Sequence, residues 1–123
     1  MKLIIKGRKK FKVPQDLRSY IEDKILKYEK ILPKEATVDV MMADVRGPQG
    51  GVDKVVHLTA VFPGEKNPFQ IEQVTDDFFG SVDLAQERLE KHILKYKEKI
   101  KQGLAIQKNI GWLKKIEEEE QEL

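Results

Sequence analysis

Polar and apolar positions alternate in three short runs of the chain and recur at helical spacing in two longer ones. Thr37–Ala43, TVDVMMA, sets Val38, Val40 and Met42 against Thr37, Asp39 and Met41. Val55–Phe62, VVHLTAVF, sets Val56, Leu58, Ala60 and Phe62 against Val55, His57, Thr59 and Val61, and Phe69–Val74, FQIEQV, alternates in the same way. A period of two marks strands with one buried and one wet face. The run Lys2–Lys6, KLIIK, predicts a further strand, which Gly7 and the basic turn Arg8–Lys10 close. Leu17, Ile21, Ile25 and Tyr28 keep helical spacing, with Pro14 at a first helical position and Pro33 as the stop after Leu32. RGPQGGVD (Arg46–Asp53) reads as a hairpin loop and PGEKNP (Pro63–Pro68) as a turn. Thr75–Asp77 supplies start residues for a second helix to about Lys101. The order β-α-β-β-β-α predicts an α+β two-layer sandwich, a four-stranded sheet with two helices on one face.

The second helix carries two stripes. At about 100° per residue, Val82, Ala85, Leu89, Ile93, Tyr96 and Ile100 share one narrow sector, which predicts the core face. Arg88, Lys91, Lys95 and Lys99 share another sector, and Glu87, Glu90 and Glu98 lie beyond it. Stability would interleave the signs, since Glu87–Lys91 attracts but Lys91–Lys95 and Lys95–Lys99 repel, each by about 0.2–0.5 kcal/mol. Lys24, Lys27 and Lys30, with Tyr20, flank the apolar stripe of the first helix, and Arg8–Lys10 adds a third cluster. Basic groups from separate elements with aromatics nearby are the footprint of a polyanion partner.

Charge over the whole chain sharpens this picture. Of 123 residues, 117–123 (EEEEQEL) carry five of the 21 acids and none of the 23 bases, so the net +2 conceals a body at +7. Residues 1–101 read as one domain and residues 102–123 as a flexible tail with an acidic end. There is no Cys, so disulfides and Cys-ligated zinc are excluded. The opening MKLIIK is too short an apolar run for a signal peptide or a membrane span, and the expected location is cytoplasmic.

The second helix, TDDFFGSVDLAQERLEKHILKYKEK, resembles that of the ribosome hibernation promoting factor / ribosome-associated inhibitor A family, also called sigma-54 modulation proteins. The matching positions are Asp76, Asp77, Phe78, Phe79, Val82, Asp83, Arg88, Leu89, Glu90, Lys91, Ile93 and Lys95. The first helix, VPQDLRSYIEDKILKYEKIL, is similar to the family's as well, and the resemblance covers about residues 1–100. It implies the same β-α-β-β-β-α fold. It also implies a protein that binds the small ribosomal subunit and its 16S-type ribosomal RNA in the channel of mRNA and the A- and P-site tRNAs, silencing idle ribosomes under stress or in stationary phase. By position, the implied RNA contacts are Lys24, Lys27, Lys30, Arg88, Lys91, Lys95 and Lys99. His92, inside the second cluster, fits either a base-stacking residue or a solvated imidazole. Pro14 departs from the family's usual Thr cap, and the turn RKKF is one residue longer than usual. Only 23 residues follow Ile100, too few for the second domain of the long forms, so the resemblance is to the short form.

Other signals are bland. His57 falls on a wet strand face with no nucleophile beside it. Asp76 and Asp77 suit helix capping better than acid–base work. GPQGG lacks the Lys-Ser/Thr of a phosphate loop. The expectation is a monomeric protein that is not an enzyme, with no cofactor, metal or membrane partner. The alternative is a protein-binding transcription regulator of the sigma-54 modulation type that acts without RNA.

Overall fold

The computed structural model describes residues 1–8, 11–44 and 53–101. β1 (Lys2–Gly7), α1 (Gln15–Ile25), β2 (Thr37–Asp44), β3 (Lys54–Val61), β4 (Phe69–Thr75) and α2 (Phe78–Lys101) follow in the predicted order. The strands form one sheet, β1-β2-β3-β4, in which β1 runs parallel to β2 and the remaining pairs are antiparallel. A parallel step needs a crossover, and α1 provides it. Lys9 and Lys10, the hairpin connection 45–52 and the tail 102–123 lie outside the described residues.

The register turns the period-two pattern into a core. Val38 pairs with Leu3 and Ala60, Val40 with Ile5 and Leu58, and Leu58 with Ile71. These side chains face Leu17, Ile21 and Ile25 of α1 and Val82, Ala85, Leu89, Ile93, Tyr96 and Ile100 of α2 in one buried cluster. Burying each large aliphatic side chain contributes roughly 1.5–3 kcal/mol. That is several times an exposed ion pair, so the apolar stripe fixes how α2 sits and leaves its charges free for other uses. The outer sheet face holds Asp39, His57, Thr59 and Glu72 without a covering layer among the described residues. Lys6 pairs there with Asp39 at 3.1 Å, and His57 Nδ1 lies 3.7 Å from a Glu72 carboxylate oxygen.

Two local details differ from the sequence reading. Pro14 is the residue before α1, with extended backbone, and only its carbonyl engages the helix, accepting from the Arg18 N–H at 2.9 Å. The first helix also does not stay α-helical to Leu32. It ends at Ile25 and continues as a 3-10 turn over Leu26–Lys30. The turn closes on Tyr28, whose carbonyl accepts from the Ile31 and Leu32 N–H groups at 3.1 and 3.0 Å, just ahead of Pro33, which has no N–H to continue a helix. Tyr28, Ile31 and Leu32 are still buried.

At the other end of the sheet, the chain leaves β1 through a crossing that only glycine permits. A Cβ at Gly7 would lie 2.0 Å from the Phe11 carbonyl oxygen. Asp77 caps α2: its carboxylate accepts from the Phe79 and Gly80 N–H groups at 3.3 and 3.2 Å, and Thr75 braces it by accepting from its N–H at 3.1 Å. The capping reading of the Asp pair is therefore carried by Asp77.

Candidate nucleic-acid interface

Contacts between the helices advance together along both. Tyr20 meets Phe79 edge to face at 5.0 Å and donates to Asp83 at 2.5 Å; Tyr28 donates to Glu90 at 3.0 Å and accepts from Gln86 at 3.2 Å. The helices therefore run side by side in the same direction. Asp83, Gln86 and Glu90 form the flank of α2 that faces α1. Both tyrosines hold their protons more tightly than usual. For Tyr20 the main cause is its bond to the Asp83 carboxylate; for Tyr28 it is burial, which pushes the hydroxyl up to about 12.

The opposite flank is different. His92 belongs to it, and its ring stacks on Phe69 at the start of β4, 4.1 Å between centroids and 10° from parallel. That flank therefore lies over the β4 edge. Arg88, Lys91, Lys95 and Lys99 share it, all exposed. Among the described residues none of the four has an ion-pair or hydrogen-bond partner. The segregation of charge along α2 thus has a geometric cause. The α1-facing flank uses its acids to hold α1, and the cations collect on the flank where no acidic partner stands among the described residues.

The lysines of the first helical segment are placed less freely. Lys24 lies 3.6 Å from Asp83 and 5.3 Å above the Tyr20 ring. Lys27 lies 5.3 Å from the Tyr28 ring centre, and Lys30 is exposed. Lys24 and Lys27 border the inter-helix seam. Glu87, Glu98 and Leu94 on the outward side of α2 separate them from the Arg88–Lys99 flank. The sequence placed all seven cations in one footprint; the fold sets them in two zones, one partly compensated and one bare.

His92 is held within the fold and is not a freely solvated imidazole. Its Nε2 is 2.9 Å from Glu65 Oε1, and its ring lies against Phe62 as well as Phe69. It is a fastener between α2 and the β3–β4 loop. Tyr96 makes a second fastening, its hydroxyl donating to the Pro63 carbonyl at 2.6 Å; burial raises its pKa. This loop carries a cation that periodicity could not find. Lys66 borders the same concavity as Lys99, across an opening of about 320 Å³. In the sequence, Lys66 sits in a turn between two prolines, and no spacing rule links a turn to a helix flank.

No group of three or more His, Asp or Glu among the described residues could hold a metal ion. No described helix is long and apolar enough to cross a membrane.

The fold has solved counterparts. It is similar to a ribosomal subunit interface protein from Coxiella burnetii, at 23% identity and a TM-score of 0.61, over 80% of this chain and 99% of that one. It is similar also to the N-terminal domain of Protein Y from Thermus thermophilus, at 20% identity and a TM-score of 0.62, over 78% of this chain and 99% of that one. A family model spans residues 3–101, from the first strand to the last residue of α2, and so includes every cation described above. The chain belongs to the family described as sigma 54 modulation protein / S30EA ribosomal protein.

Proposed function

We propose that the protein binds the small ribosomal subunit through its cationic helix faces and silences it by occupying the channel of mRNA and the A- and P-site tRNAs under stress or in stationary phase. The observation that carries this reading is the bare flank Arg88, Lys91, Lys95 and Lys99, four exposed cations without acidic partners among the described residues. Cations left unpaired on a folded surface break no ion pair when they meet phosphate, and the released counterions drive association. Lys24, Lys27 and Lys30 add a second line of contact. His92 acts by fixing the β3–β4 loop beside the flank. Action is by occupancy in the cytoplasm, without cleavage of RNA, and the protein works as a monomer of 14.3 kDa. The locally paired charges of the outer sheet face support the monomer.

The test is co-sedimentation with purified small subunits across a salt series. Replacing Arg88, Lys91, Lys95 and Lys99 together by Ala should lower the salt slope by roughly 0.7–0.9 for each lost phosphate contact, with the fold intact. A folded quadruple variant that co-sediments as well as wild type would sink the proposal. Excess initiator tRNA with mRNA should displace the protein, and ribosomal RNA should stay uncut. The protein-binding alternative predicts weak salt dependence and a continuous apolar surface patch. Among the described residues the exposed large apolar residues are Leu26, Leu84 and Leu94 on the helices and Val61 and Val74 towards opposite ends of the sheet, a dispersed set that does not favour it.

A further inference from the structure

The concavity between the β3–β4 loop and the last turns of α2 is built on a fixed turn. Pro63-Gly64 forms the corner of a β-turn closed by the Glu65 N–H donating to the Phe62 carbonyl at 3.1 Å. Gly64 has φ 88°, the left-handed conformation a type II turn requires at that position. The turn is then fastened twice to α2, by Tyr96 on Pro63 and by His92 on Glu65. A loop held by a turn and two side-chain anchors presents its remaining groups with less backbone ordering left to be done on binding. Those groups are Lys66 and Asn67, both exposed, facing Lys99 across a cavity of about 320 Å³. Its floor is formed by the buried side chains of Tyr96 and Ile100.

We infer that this concavity receives one unstacked RNA nucleotide, with its phosphate between Lys66 and Lys99 and the edge of its base on the Asn67 amide. The inference rests on the RNA-binding reading above and names the place where that contact becomes selective. The chemistry of the lining argues for a nucleotide over a bare anion. Lysines are donor-only cations suited to phosphate, whereas an amide offers both donors and an acceptor, the pattern that reads a base edge. Glu65, the acid in the lining, is engaged by His92 at 2.9 Å, and its side chain is only 15% exposed. The cavity is at the lower end of the usual size of small-ligand sites. It also continues the cationic flank, because Lys99 belongs to both. A backbone tracked by Arg88, Lys91 and Lys95 would arrive at its mouth, and RNA is read by sequence mainly where bases are splayed out of the stack.

Chemical probing of ribosomal RNA in the subunit complex tests this, with the full-length chain as wild type and as the double variant Lys66→Ala with Asn67→Ala. Both residues are exposed, so the variant should melt as wild type does. The expected result is a wild-type footprint in which a single nucleotide regains reactivity in the variant while the rest stays protected. The salt slope should fall by about 0.7–0.9, one phosphate contact. An unchanged footprint would overturn the nucleotide site and leave the RNA-binding reading standing. Uniform weakening across the footprint would also overturn it, since Lys66 would then be one more non-selective charge. Absence of any footprint with the wild-type protein would remove the RNA-binding reading itself.

Discussion

The two flanks of α2 lie on one helix, yet they do opposite work. On the α1 side, Asp83 and Glu90 accept from Tyr20 and Tyr28, and Lys24 comes within 3.6 Å of Asp83. On the β4 side, Arg88, Lys91, Lys95 and Lys99 face outward with no partner among the described residues. The core stripe between them sets the orientation, so neither flank can trade places with the other. The lesson is that a charged side chain's role here follows from what its flank packs against. An acid beside a helix neighbour becomes an anchor, and a base above an open edge stays available to a polyanion.

The sharpest way to break this contrast is charge reversal on the bare flank. Lys91→Glu with Lys95→Glu should abolish co-sedimentation with small subunits at physiological salt, because two contacts become two repulsions. Thermal stability should stay within about 0.5 kcal/mol of wild type, as for other surface changes. A large loss of stability would show that the flank is structural after all.

On the anchored flank the effects should be inverted. Tyr28→Phe removes the bonds to Glu90 and Gln86 and should cost about 1–2 kcal/mol in urea unfolding, with subunit binding unchanged. Equal damage to binding would merge the two flanks into one site. The same residue adds a smaller, pH-dependent distinction. Its hydroxyl titrates near 10 in an unfolded chain and at about 12 in the fold. The unfolded state thus loses its proton first. The stability Tyr28 contributes is complete below pH 10 and is lost as pH rises from there through the folded value. Alkaline unfolding of Tyr28→Phe should be shallower in that window, and matching slopes would contradict the burial argument.

The smallest effect should come from Lys24. Already shared with Asp83 and half exposed, it has less charge to give to RNA. Lys24→Ala should lower the salt slope of subunit binding less than Lys91→Ala does. Its stability cost should fall within about 0.2–1 kcal/mol, as for other partly exposed pairs. Equal slopes for the two variants would show that the seam and the open flank are one footprint.

Much of this molecule follows from local rules. Alternation in β2, β3 and β4 marked their inner faces because side chains of a strand alternate by covalent geometry. Leu89, Ile93, Tyr96 and Ile100 marked the core face of α2 for the equivalent helical reason. The cationic stripe was legible by the same spacing. What spacing could not say is which flank of a helix has a neighbour. That depends on where α1 lies across the sheet, a relation between residues far apart in sequence. Hence the division of the cations into a seam and an open flank needed the tertiary structure. So did the fate of His92, whose partners Glu65, Phe62 and Phe69 come from a turn and a strand that no helical period connects to it. Lys66 was hidden for the same reason, and the 3-10 ending of the first helix lay one step beyond what Pro33 announced. Sequence determined the elements, their buried faces and the sign of the exposed charge. The fold alone decided which charges neutralise one another, because Coulomb pairing acts over a few ångströms and only packing brings distant residues that close.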